Sequence, residues 1–209
     1  MKITVFGSTG RTGRQVVQQA LEAGHEVVAF ARTPSKLALQ NPHLTIVAGD
    51  IKDVAAVNKA IAGSDAVISV LGPTSNQVEY AVSNGTQHII AAMQAHGVKR
   101  LIVSAGAGVG DPNDAPKLFD RLIVSALKIA SKNVYADMVK TVGIVKASDR
   151  DWTIARVPML TDGEKTGQLK VGFVGKGTRS RITRADMAGF MLKQLKDDTY
   201  LRQAPVVSN

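Results

Sequence analysis

Lys2-Ile-Thr-Val-Phe-Gly7-Ser-Thr-Gly10-Arg-Thr-Gly13 decides the fold. A β-type run, Ile3–Phe6, leads into G-x-x-G-x-x-G, and an amphipathic helical pattern, Arg11–Ala23, follows at once. Gly7 allows a sharp turn off the strand. Gly10 removes a side chain where backbone would approach a pyrophosphate, and Gly13 lets the helix pack close to the sheet. The free N–H groups and positive dipole end of that helix favour an anion at the same place. A glycine triplet alone is weak evidence. Here a strand precedes it, a helix follows, and a second strand, Glu26–Ala31, comes next, which is the context a phosphate-binding turn requires.

Outward from this stretch, β-rich runs alternate with helical patterns. The strands read Ile3–Phe6, Glu26–Ala31, Leu44–Ala48, Ala66–Val70, Arg100–Ser104 and Trp152–Arg156, with a late one near Pro205–Val207. The helices read Arg11–Ala23, Pro34–Leu39, Val54–Ala60, Val78–His96, Ala115–Ala130 and Tyr135–Ala147, with Gly24, Gly63 and Gly97 at stops and Asp53 as an N-cap. The alternation predicts an α/β fold, a Rossmann-type doubly wound and mostly parallel sheet. The 209 residues suffice for one domain, 1–209, with 157–192 as a small cap on the substrate side. Within that cap, 162–182 is rich in Gly, Lys and Arg and reads as a hairpin or lid over the carboxyl ends of the strands.

Composition narrows the chemistry. There is no cysteine, which excludes disulfides, thiol catalysis and thiolate-bound metal, and the four histidines show no metal-ligand spacing. No metal is expected. No apolar run approaches ~20 residues, and the chain enters a strand at once, so neither a membrane span nor a signal peptide is expected. The expectation is a cytoplasmic protein, a monomer or weak homodimer, with no membrane partner. The net charge of +9 is uneven: residues 1–114 are nearly balanced, whereas 115–209 carry 17 Lys/Arg against 9 Asp/Glu. Without a nucleic-acid motif and with only 4% aromatics, this reads as a basic face or a field for an anionic small molecule, not as a nucleic-acid site.

In such a sheet, ligands bind beyond the carboxyl ends of the strands. After the second strand come Arg32 and Lys36, where a site for NAD(H) usually places an acid. Two cations there favour a 2′-phosphate, hence NADP(H). After the third, Asp50 could accept from an adenine amino group while Ile51 packs on the ring. After the fourth, Leu71-Gly72 would let backbone approach a ribose. After the fifth, Ser104 precedes Ala-Gly-Ala-Gly-Val-Gly110 and could donate to a carboxamide or an acceptor carbonyl, a catalytic candidate as much as a strand-end serine.

Gly7–Gly13, Ala48-Gly-Asp-Ile51, Gly63–Gly72, Ile90–Val98 and Arg181–Leu192 together resemble the atypical short-chain dehydrogenase/reductases, and more narrowly the NADPH-dependent flavin reductase/biliverdin-IXβ reductase family. The resemblance implies that Gly7, Ser8, Thr9, Gly10, Arg11, Thr12 and Gly13 hold the pyrophosphate and that Arg32 and Lys36 take the 2′-phosphate. Asp50 and Ile51 take the adenine, Leu71 and Gly72 the central ribose, and Pro158, Met159 and Leu160 wall the nicotinamide. It implies hydride transfer from NADPH to free flavin (FMN, FAD or riboflavin as substrate) or to a similar flat acceptor, a bilin or quinone. A second implied function is a non-catalytic NADP(H) sensor similar to nitrogen-metabolite regulators. The chain departs from the Y-x-x-x-K pattern of many such dehydrogenases. Val139 is the fourth residue after Tyr135, Lys140 lies one further on, and Met138 and Met159 stand where some relatives carry proton donors.

Overall fold

The computed structural model describes residues 1–73, 76 and 80–209. In chain order the elements are β1 (Lys2–Phe6), α1 (Arg11–Glu22), β2 (Glu26–Ala31), β3 (Leu44–Ala48), α2 (Val54–Ile61), β4 (Ala66–Ser69), α3 (Ala81–Ala95) and β5 (Arg100–Gly106). Then come α4 (Leu118–Ala130), α5 (Lys132–Ala147), β6 (Asp151–Val157), β7 (Met159–Thr161), β8 (Lys170–Gly172), β9 (Arg181–Thr183), α6 (Arg184–Lys193) and β10 (Val206–Ser208).

β1 sits inside an eight-stranded sheet of order β3-β2-β1-β4-β5-β6-β10-β8. Ile3 faces Val27 on one side and Ala66 on the other, both in parallel register. The chain first builds outward through β2 and β3, then returns to the far side of β1 with β4. The order reverses between β1 and β4, and the crevice opens there, at the end of β1 where Gly7 begins. Only β8 runs antiparallel, against β10.

Alternation along β1 feeds two core layers. Ile3 and Val5 pack with Val16, Val17 and Ala20 of α1 and with Met187, Phe190 and Met191 of α6. Phe6 lies in the opposite layer with Ile61, Ile89, Met93, Val142 and Trp152, under α2, α3 and α5. Three arginines are internal ties. Arg100 donates to the Gln194 and Asp151 carbonyls, and Arg150 to the Val98 carbonyl and Asp149. Arg156 reaches Asp114 through both terminal nitrogens at 2.7 and 2.8 Å and also donates to the Ala204 carbonyl. Asp114 in turn accepts from the Asp111 and Val174 N–H groups, so the loop after β5 is pinned to β6 and to the turn after β8.

Several expected elements differ. Pro34–Leu39 forms only a 3-10 turn, Pro34–Lys36. The helix expected from Ala115 starts at Leu118, where the Lys117 N–H donates to Asp120. α3 begins at Ala81, after Tyr80 at φ +46°, and the expected start, Val78, lies outside the described residues; its end at Ala95 precedes Gly97 at φ +69°. α6 carries no clear periodicity because it is buried on most sides, Asp186 included. The segment 162–182, expected as a hairpin or lid, contributes β8 and the start of β9, with Asp162 against Arg11 and Arg184. β8 extends the main sheet, β9 pairs in parallel with β7, and the turn between β8 and β9 brings Gly175 against the Ala115 carbonyl.

Candidate functional site

A cleft of about 720 Å³ opens at the carboxyl ends of β1, β2, β4 and β5. Gly7, Thr9, Gly10, Arg11, Thr12 and Gly13 line its middle. The turn is built by its own packing: Gly7 has φ +79°, and a Cβ at Gly13 would collide with the Gly7 carbonyl. Gly10 is different. A Cβ there would meet the Gly7 oxygen at 3.3 Å, a tight contact that a shift of a few tenths of an ångström would relieve, and no other protein atom within 4 Å. The space it leaves belongs to the cleft, as a cradle for a phosphate group requires.

Ser8 does not join the turn's lining. Its side chain is buried and donates to the Phe30 carbonyl at 2.7 Å, tying the turn to β2. At one end of the cleft, Arg32, Asp50 and Ile51 line the wall. Arg32 is exposed and has no ion-pair partner among the described residues. Asp50 Oδ1 accepts from the Lys52 N–H at 2.9 Å, and the His88 ring donates to the Ile51 carbonyl at 2.9 Å. Lys36 lies outside the cleft on the 3-10 turn, exposed, with its carbonyl accepting from Arg14.

At the other end, Leu71, Gly72, Ser104, Ala105 and Gly106 form the floor, with Val157, Leu160 and Met187 opposite. The Ser104 hydroxyl makes no hydrogen bond among the described residues, which leaves it free for a ligand. Pro158 and Met159 do not line the cleft. β7 pairs with β9, and its alternation turns Leu160 inward and Met159 to solvent at 58% exposure.

The remaining wall was not legible from strand ends, because it comes from helices. Asn133, Val134, Asp137, Met138 and Thr141 of α5 face the cleft, with Tyr80 beside them. Asp137 is buried and accepts from the Val82 and Ser83 N–H groups, each at 3.0 Å, so its carboxylate caps α3 and fixes α5 against it. Asp137 and Thr141, one turn apart on an otherwise apolar face, were the sequence signal that could have marked this wall. Tyr80 lies at the cleft under Lys140, whose Nζ is 4.9 Å from the ring centroid. Tyr135 is not among the lining residues. Near the phosphate turn, Arg184 also lines the cleft; its guanidinium and that of Arg11 both reach Asp162. Among the described residues no cluster of His, Asp or Glu could hold a metal ion.

A doubly wound sheet with this turn at its switch point is a dinucleotide-binding architecture. The family described as NAD(P)H-binding matches residues 7–198, and the chain belongs to it. The uncharacterized protein YwnB of Bacillus subtilis is 32% identical over 204 residues, 94% of this chain and 92% of its own. A short-chain dehydrogenase/reductase of Veillonella parvula, solved in complex with NADP, superposes with TM-score 0.83 at 15% identity, covering 100% of this chain and 94% of that one. ChuY, an anaerobillin reductase of Escherichia coli O157:H7, gives TM-score 0.78 at 21% identity over 100% and 97%. The chain spans about a third of the length of the first curated relatives it matches, at 32% and 34%.

Proposed function

We propose that the protein is a cytoplasmic NADPH-dependent reductase of a flat conjugated acceptor, free flavin or a similar bilin or quinone. The observation that carries this reading is the shape of the cleft. One continuous groove runs from an unpaired Arg32, past the Gly10 cradle, to the Ser104–Gly106 floor under Leu160 and Met138. That is room for a dinucleotide with a planar partner beside its far end.

The chain's own residues divide the work. Arg32 receives a 2′-phosphate, and Asp50 and Ile51 frame the adenine. The turn's N–H groups hold the pyrophosphate. A dinucleotide bound there would supply a hydride. Ser104 would donate to a carboxamide or to an acceptor carbonyl, and the apolar walls would exclude water and orient the bound groups. Hydride addition to a flavin needs no carbonyl acid, because solvent can deliver the proton to the reduced ring. This agrees with Tyr135 standing outside the cleft. An anaerobillin reductase with the same fold supports a conjugated acceptor of this kind.

The test is a panel of FMN, riboflavin, biliverdin and short-chain quinones, followed at the NADPH absorbance band. Turnover with at least one planar acceptor is expected. Tight NADPH binding with no oxidation by any of them would reject the reductase and favour an NADP(H)-sensing regulator.

A further inference from the structure

We propose that Arg11 and Arg184 form a two-armed subsite for the pyrophosphate of the dinucleotide, and that Asp162 closes it until the ligand displaces this carboxylate. The inference rests on the cofactor reading and assigns residues to it from the electrostatics of two helix N-termini.

Both arginines are the first residues of helices, Arg11 of α1 and Arg184 of α6. Helix N-termini carry positive partial charge and favour anions, so a guanidinium at each is misplaced unless an anion joins it. The first turn of α1 holds no acidic residue. The first turn of α6 holds Asp186, but that carboxylate is committed to Thr166, Gly167 and Thr183. Among the described residues, the carboxylate that pairs with both arginines is Asp162. Its Oδ2 lies 3.0 Å from Arg11 Nη1 and its Oδ1 lies 2.7 Å from Arg184 Nη1. Two cations therefore share one anion, which leaves a positive excess facing the cleft that both line.

Exposure sets the direction of exchange. The Arg184 side chain is 11% exposed, so water does little to stabilise its charge, whereas Asp162 is 68% exposed. An ion pair with so exposed a carboxylate is weak and easily given up. A pyrophosphate seated at Gly10 brings two negative charges and several acceptor oxygens to the same two guanidiniums, in the paired geometry that guanidinium matches best. Asp162, released, is already 68% exposed and returns to solvent, while the largely buried Arg184 keeps an anion. The subsite thus stays neutral enough to fold and becomes fully compensated only with ligand present.

Calorimetric titration of the whole chain tests this. Arg184→Gln should weaken NADPH about ten-fold or more, the scale of a charge-assisted contact. Asp162→Asn, at an exposed position that carries no core packing, should tighten NADPH about three-fold or more by removing the competing anion. Adenosine 2′-monophosphate, which has no pyrophosphate, should bind all three proteins alike. Unchanged NADPH affinity in both variants, each with an unaltered unfolding midpoint, overturns the proposal. So does a loss of FMN binding in Arg184→Gln with NADPH unaffected, because the subsite would then serve a phosphate on the acceptor. Failure of the unmodified protein to bind any dinucleotide overturns the cofactor reading itself and is distinguishable from either result.

Discussion

Arg32 stands where an acid would select the unphosphorylated cofactor, and its guanidinium has no competing carboxylate among the described residues. Arg32→Ala should therefore weaken NADPH by about 1.5–3 kcal/mol, with NADH scarcely affected, as measured by titration calorimetry. Equal affinity for the two cofactors in the unmodified protein would rule this out. Gly10→Val should abolish dinucleotide binding with the fold retained, because Gly10 lines the cleft and the added Cβ meets only the Gly7 oxygen, at 3.3 Å, which a small shift relieves. For the proposed reductase chemistry, Tyr135→Phe should leave most of the NADPH-oxidising activity, whereas removal of a true general acid typically costs ~10²–10⁴-fold. Ser104→Ala should give a moderate drop through lost positioning. At this scale the placement of the turn, Arg32, Asp50 and Ile51 at the cleft was legible because backbone geometry and strand-end position are local properties. That the Ser8 and Lys36 side chains lie off the cleft was not legible, because side-chain direction depends on neighbours distant in sequence, the Phe30 carbonyl for one and the 3-10 turn for the other.

Elements were legible in proportion to their length and their amphipathicity. α1 shows its apolar stripe and the parallel strands show their buried runs, so both were found. β7, β8 and β9 have three residues each, too few for alternation to speak, and α6 is wrapped by core. α6 is fastened through Asp186. Burial pushes that carboxyl up, but donation from the Thr166 backbone and hydroxyl, the Gly167 N–H and the Thr183 hydroxyl outweighs it and holds the group down at about 2. Asn209 donates to it as well. Because the folded value lies below the ordinary one, this stabilisation is present at neutral pH and is lost as pH falls through about 4 towards about 2. Asp186→Asn should thus be less stable than the unmodified protein at pH 7 and closer to it near pH 3, read from urea midpoints. α4 is the opposite case. It contributes no buried residue, and Leu118, Phe119, Leu122 and Ile129 are each at least 60% exposed. Phe119→Ser and Leu122→Ser should leave the unfolding midpoint nearly unchanged, within about 0.5 kcal/mol.

Across the whole molecule, the topology followed from one early strand because a parallel sheet with crossover helices leaves few arrangements open. The helical wall of the cleft did not follow, since α5 is held there through contacts such as Asp137 with the first N–H groups of α3, made across 54 residues or more. The basic surplus was legible only as a number. Part of it is internal: Arg150 and Arg156 are almost fully buried. Asp114→Ala should destabilise by about 3–5 kcal/mol, because it strands the Arg156 guanidinium in the core, whereas replacing both partners by apolar residues should cost much less.

The placement of β10 carries a consequence for how the sheet closes. Val206–Ser208 lies between β6 and β8 rather than at an edge. Until this short segment docks, β6 presents an unpaired edge and β8 has no strand to join. Three residues thus act as the keystone of one flank of the sheet, and their loss would leave a gap that neither neighbour can fill.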